Sequence, residues 1–409
     1  MRQLPTLSVQ TLAIIFAVLV AWPAFAARPP QLETYKSRHY EIRTNLSREE
    51  AVDLGRHMDL VFREYDRVLR ALRGSARGLQ PIYLLRTEQE YHALLEAKYG
   101  INGQGSGGMF FWRGNRSGLA VFVEGRNYGD LLSTLQHEGF HQFAWIKMGD
   151  NLPLWVNEGL AEYFGDAIVV DGKVRHGIVN ARRLARLRDA EQKKLLIPFR
   201  EVLEIDSDRW MSNMRGSSPR GYLQYDQSWS IVHFLIHDSP KKIRPAFEQY
   251  LKLLSTNRNP QQTWDDAFGE DSTPAFEKRY LRFLEDLEPD AYSAALTRLR
   301  FLASGMQTLL DREGAQAPAT LDAFQSALRE RGFGVTYRAH GQTTTYHSDD
   351  DEMFGYQDRR DNTHAFELKS SRDATLPPEI LASKLSPPAR IAWTRDEDGK
   401  LRNELKFGR

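Results

Sequence analysis

The chain has 409 residues, with 55 Lys and Arg against 54 Asp and Glu, and no cysteine. That length fits about two domains, and 41% hydrophobic with 27% charged residues is enough to build a full core rather than a disordered chain. A net charge of +1 gives no global attraction for nucleic acid or an anionic membrane. The missing cysteines exclude disulfides, thiolate zinc sites, cysteine nucleophiles and a lipid-bearing cysteine anchor.

Arg2 precedes an apolar stretch at 12–20, broken by Pro23 and followed by Ala24-Phe25-Ala26. The stretch is short against the roughly 20 residues a bilayer needs, and the small-x-small pattern is what a signal peptidase reads. A signal peptide over residues 1–26, cleaved after Ala26, is therefore expected, with a periplasmic or secreted product and no stable membrane insertion after cleavage. Residues 38–45 alternate like a strand. Ser47 and Glu50 then form a capping-box pattern ahead of an amphipathic helix over roughly 48–72. A second strand at 82–85 runs into another such pattern, Thr87 and Glu90, and a short helix. A Gly-rich turn leads to apolar runs at 109–112 and 119–123, which read as a hairpin. Helix is expected from about 130 to 148, closed by Gly149, and again through most of the chain after Leu152, apart from a small hairpin at Asp171-Gly172. Composition changes after Pro289. Two helices, roughly 291–312 and 320–331, precede short alternating segments suited to an antiparallel sheet. The acidic run Asp349-Asp350-Asp351-Glu352 lacks the Gly and the final Glu of a calcium loop and reads as a solvated loop.

His137-Glu138-Gly139-Phe140-His141 is an HExxH motif in the helical stretch 130–148. Histidines at i and i+4 project from one helix face, so two imidazoles reach one zinc ion. Glu138 then touches the attacking water rather than the metal and accepts its proton. A catalytic zinc usually has three protein ligands. The third candidate is Glu158, with sixteen residues between it and His141, on a helix beginning near Pro153. A short loop before that helix folds it back so that Glu158 faces the histidines. Glu162, one turn later, and Asn157 are candidates to orient a ligand histidine from behind.

HExxH followed by the segment 155–163 (WVNEGLAEY) resembles the gluzincin metallopeptidases. It is especially similar to the bacterial peptidase MA-like proteins and, more distantly, to the aminopeptidase N family. The resemblance covers roughly residues 80–240, with a slightly shorter gap between His141 and Glu158 than aminopeptidases have. It implies that Glu158 is the third zinc ligand. It also implies that Tyr225, in Tyr225-Asp226-Gln227-Ser228, donates a hydrogen bond to the oxyanion, with Tyr222 as a rival. Aminopeptidases bind the substrate amine through a Glu upstream of the zinc helix. The similar stretch Gly107-Gly108-Met109-Phe110-Phe111 has none, which favours endopeptidase over aminopeptidase. An extended peptide could add to the hairpin as a strand, with 119–123 as the candidate edge.

Two further signals read as structural. His233 and His237 have apolar residues between them and suit a helix packed beside the site. The basic stretch Arg182, Arg183, Arg186, Arg188, Lys193 and Lys194 is interleaved with Asp189 and Glu191, as on a solvated helix face.

The expected fold class is α+β. A gluzincin-like catalytic domain over 33–289 (a small mixed-sheet lobe plus a helical lobe) precedes a small α+β C-terminal domain over 290–409. The expected activity is zinc-dependent hydrolysis of a peptide or protein substrate, with one Zn2+ per chain held by His137, His141 and Glu158. The C-terminal domain is a candidate to meet a cell-envelope partner. Two alternatives stay open: a non-catalytic, zinc-stabilised binding protein of the cell envelope, and a hydrolase of a non-peptide or cell-wall amide.

Overall fold

The computed structural model describes residues 30–72, 74, 78–113, 116–126, 128–215, 219–238, 243–256, 259–269, 272–311, 315–339, 342–395 and 399–408. The expected signal peptide at 1–26 lies outside the described residues. Among those described, no helix is long and apolar enough to cross a membrane.

The fold is α+β. Strands β1 (Glu33–Lys36), β2 (Tyr40–Thr44), β3 (Gln80–Leu85), β4 (Gly108–Arg113) and β5 (Arg116–Phe122) form one sheet in the order β1-β2-β3-β5-β4. The inner three are parallel, and β1 and β4 run antiparallel at the two edges. Both expected capping boxes form. Ser47 and Glu50 start helix α1 (Arg48–Val68), and Thr87 and Glu90 start α2 (Glu88–Tyr99). Each box satisfies two amides that a helix start would otherwise leave unbonded. The parallel strands are covered on both faces, as parallel sheets generally are. Ile82, Leu84, Leu119 and Val121 share one core with α1 and with helix α3 (Tyr128–Met148). Their alternates Tyr83, Leu85, Ala120 and Phe122 pack with Tyr91, Leu94 and Leu95 of α2.

One expectation is corrected by the sheet order. The segment 119–123 is not an edge, because β5 pairs with β3 on one side and β4 on the other. After α2 the chain enters the sheet at its outer position and doubles back. The second strand of the hairpin therefore takes the parallel place beside β3, and the outer edge belongs to β4.

Helix α4 (Leu154–Gly165) follows α3 after a short loop in which Gly149 takes a left-handed φ of 63°. The small hairpin β6 (Ile168–Val170) and β7 (Lys173–Arg175) comes next, then α5 (Ala181–Gln192), α6 (Phe199–Glu204), α7 (Ser207–Arg215) and α8 (Arg220–His237). Helix α4 lies tight against α8: a Cβ on Gly159 would stand 2.4 Å from the Ser228 carbonyl oxygen. Helices α9 (Ile243–Leu254), α10 (Pro260–Phe268) and α11 (Ser272–Asp286) complete the first core, which reaches Leu284.

A second core begins at Tyr292. It joins α12 (Ala291–Leu310) and α13 (Leu321–Glu330) to short antiparallel strands. These are β8 (Gly334–Ala339), β9 (Gln342–His347), β10 (Gly355–Gln357), β11 (Thr363–Ala365), β12 (Glu367–Lys369), β13 (Glu379–Ala382), β14 (Ala389–Arg395) and β15 (Leu401–Phe407). The last four make one sheet, in sequence order. Val170 of the β6–β7 hairpin is buried in this second core, so the earlier part of the chain contributes to it.

Candidate metal centre

Helix α3 carries His137 and His141 one turn apart, and their Nε2 atoms converge to 3.0 Å. Glu158 on α4 points at both, with Oε2 at 3.5 Å from His137 Nε2 and 3.6 Å from His141 Nε2. Three donors each about 2.1 Å from one tetrahedral ion stand about 3.4 Å apart, so these separations are close enough for the three groups to hold one metal ion. Two imidazoles and one carboxylate are also the donor chemistry zinc takes in hydrolytic sites. Glu158 Oε2 is buried without a hydrogen bond of ordinary geometry, a cost that a bound cation would offset. His137, His141 and Glu158 therefore fit the metal expected for them.

The electrostatics agree. Burial pushes the Glu158 carboxyl up, but the charges and polar contacts of His141 and His137 outweigh it and hold the group well below the usual carboxylate range. Burial likewise opposes charge on His137, yet Glu158, Glu162 and Glu138 together raise it to about 8. The pocket thus favours positive charge at the point where the three donors meet.

The residues behind the ligands are equally ordered. Asn157 Oδ1 lies 3.1 Å from His141 Nδ1, and Glu162 Oε1 lies 3.5 Å from His137 Nδ1. Each histidine thus has a polar oxygen behind it, the arrangement that fixes which ring nitrogen faces a metal. Glu138 is held from the sheet side, its Oε2 accepting the Phe110 backbone N–H at 2.7 Å. Gly139 lets α3 approach α1, since a Cβ there would meet Met58 Cε at 2.6 Å. Gln136, 1% exposed, donates to the Phe164 and Ala167 carbonyls and so ties α3 to the end of α4.

His137, Glu138, His141, Asn157, Glu158 and Glu162 line one cleft of about 3320 Å3, bounded by β4, α3, α4 and the second core. Tyr225 lines this cleft and packs edge-on against Trp210, ring centroids 4.9 Å apart. Burial, then the charge of Glu158, pushes its phenol well above the usual range, so it keeps an O–H to donate in a hydrogen bond. Tyr222 is not among the lining residues and lies within electrostatic range of Lys193. His233 and His237 sit behind α4, where His233 meets the Gly177 carbonyl and His237 the Tyr163 hydroxyl.

Within the basic stretch, Arg183 and its neighbour Arg186 are a second correction, while Lys193 and Lys194 are exposed as expected. Arg183 is 7% exposed and reaches three carboxylates: Glu162 at 2.5 Å, Asp226 at 3.2 Å and Asp166 at 3.5 Å. Arg186 adds two hydrogen bonds to Asp226. A signal was present in the sequence. Arg183, Leu187 and Ala190 fall on one buried stripe of the helix, so the arginine occupies a core position. The sequence reading also passed over the aromatic shelf beside the site. Trp112 stacks on Trp145 with centroids 4.5 Å apart, and Trp145 stands one turn beyond His141.

Residues 131–261 match the family described as "Protein of unknown function (DUF1570)". The matched stretch holds His137, Glu138, His141, Glu158, Glu162, Arg183 and Tyr225, while β4 and the chain from α12 onward fall outside it. No curated protein matches the chain.

Proposed function

We propose that the chain is an exported zinc-dependent peptidase of gluzincin type, cutting within polypeptides rather than trimming their amino ends. The observation that carries this reading is the convergence of His137, His141 and Glu158 at 3.0 to 3.6 Å with Glu138 beside them. A zinc ion held only for structure needs no such base. When bound, zinc polarises a carbonyl and lowers the pKa of a water toward neutrality. Glu138 takes the proton from the attacking water and returns it to the leaving amine. The Phe110 amide keeps its carboxylate aimed during both transfers. Tyr225, protonated at any working pH, donates its O–H to the oxyanion that forms at the scissile carbonyl.

The size and lining of the cleft favour a polymer. At about 3320 Å3 it far exceeds a small-molecule pocket, which holds roughly 300–1,000 Å3. Trp112, Tyr128 and Met211 line it and are 51%, 53% and 49% exposed, so they present apolar surface to whatever enters the cleft. The β4 edge runs past Glu138, and an extended peptide can pair there as a further strand.

The test is Glu138→Gln, assayed on a denatured, labelled protein with zinc content measured in parallel. Hydrolysis should fall by roughly 10²–10⁴-fold while the chain keeps its zinc. Equal activity in the variant would overturn the mechanism. Zinc binding without hydrolysis by the wild type would leave the binding-protein alternative, and release from peptidoglycan alone would select the cell-wall amide.

A further inference from the structure

We infer that Arg183 is a positioning residue for the metal centre, acting through Glu162 on His137 and through Asp226 on the helix that carries Tyr225. The inference rests on the zinc reading above. Its geometry is a chain of polar contacts running inward from α5. Arg183 Nη2 donates to Glu162 Oε2 at 2.5 Å, and the other oxygen of that carboxylate faces His137 Nδ1 at 3.5 Å. Arg183 Nη1 donates to Asp226 Oδ1 at 3.2 Å, and Asp226 directly follows Tyr225 on α8. One planar guanidinium thus spans the two helices that supply, respectively, the group behind a ligand histidine and the oxyanion donor.

The physical case against a purely structural role comes from charge. Glu162 and Asp226 are 5% and 1% exposed, and Arg183 is 7% exposed. Burying such groups is expensive, and apolar side chains of similar volume usually stabilise a fold as well or better. Stability alone therefore gives little reason for an arginine at a stripe position of α5. The cluster places three carboxylates, Glu162, Asp166 and Asp226, against two guanidinium groups, Arg183 and Arg186. Glu162 Oε1 stands behind His137 Nδ1 and favours that nitrogen as the donor, which leaves Nε2 as the atom facing Glu158. Arg183 fixes which of the Glu162 oxygens performs this task. A lysine cannot, because a single ammonium does not reproduce the two-branched reach to Glu162 and Asp226.

The experiment is a double-mutant cycle read as zinc affinity by competition with a chelator. It uses the wild type, Glu162→Gln, Arg183→Lys and the double variant. Melting of the metal-free proteins reports whether each folds. Loss of a group behind a ligand histidine weakens metal binding by roughly 10–100-fold. Glu162→Gln should fall in that range, Arg183→Lys should lose affinity several-fold or more, and the double variant should bind no more weakly than Glu162→Gln. Should Arg183→Lys fail to fold, Arg183→Gln with Asp166→Asn, which removes one buried charge of each sign, takes its place in the cycle. The inference is overturned if Arg183→Lys binds zinc like the wild type, or if the two losses multiply as independent effects do. A wild type that takes up no zinc would overturn the zinc reading itself, and this role with it.

Discussion

Tyr225 and Tyr222 are both tyrosines near the start of α8, and only their surroundings separate them. Tyr225 lines the cleft, packs on Trp210, and is kept protonated by burial and by Glu158. Tyr222 is not among the residues that line the cleft and has Lys193 within electrostatic range. A donor that acts only on the developing oxyanion contributes to the transition state and not to substrate binding. Tyr225→Phe is therefore expected to lower kcat by roughly 10²–10³-fold with KM and zinc content little changed, while Tyr222→Phe stays at the wild-type rate. Steady-state kinetics of the two variants side by side check this. A matching loss in both would point to packing of α8 rather than to a hydrogen bond from Tyr225 to the oxyanion.

At the scale of elements, the site depends on how closely α4 lies against α8 and α3. Gly159 directly follows Glu158 on α4, and a methyl group there would stand 2.4 Å from the Ser228 carbonyl oxygen and 2.7 Å from its carbon. Those are backbone atoms inside a helix, so they cannot swing aside as a side chain would. Gly159→Ala is expected to cost about 1–3 kcal/mol through overpacking, read as a lower midpoint in urea, and to weaken zinc binding as Glu158 is levered away. At Gly139 the nearest atom is the flexible Met58 Cε, so Gly139→Ala should be much milder. The sequence carried the start of each of these elements legibly. The two capping boxes, HExxH on one helix and Glu158 after a short loop are local patterns, and local patterns survive in a single sequence. Sheet order did not survive, because β4 and β5 are similar apolar runs. Which of them pairs with β3 is decided by where α2 leaves the chain, not by either run. The short β13, four residues close after Pro377 and Pro378, carries little local signal, because its partners β12 and β14 define it. Arg183 was misread for a related reason. Its charge suggested solvent, and the carboxylates that make burial tolerable come from α4 and α8.

For the whole molecule, the two cores are joined around the cleft, and the first is held partly by histidines that must stay neutral. His233 is 4% exposed and is wedged among the rings of Tyr163, Trp229 and Phe283. Burial, reinforced by His237 nearby, lowers its pKa to about 3. Burial lowers His57 to about 4, although its hydrogen bond to Gln136 opposes this. Linkage sets the sign of the effect. Between the ordinary histidine pKa of about 6.5 and these lowered values, the unfolded chain binds protons that the folded chain does not. Stability is therefore full above pH 6.5 and falls as the pH drops toward 4, by up to about 1.4 kcal/mol per pH unit for each such group. Carboxylates and the metal ligands titrate over part of the same range, so the wild-type curve alone does not isolate a histidine. The difference between wild type and His233→Gln does, because Gln keeps a donor for the Gly177 carbonyl yet has no proton to gain. Urea unfolding of both chelator-treated proteins from pH 7 to 4.5 should give a wild-type slope steeper by close to one proton. Parallel slopes would mean that His233 is already open to protonation in the folded protein, and that the helices behind α4 are looser than their packing implies.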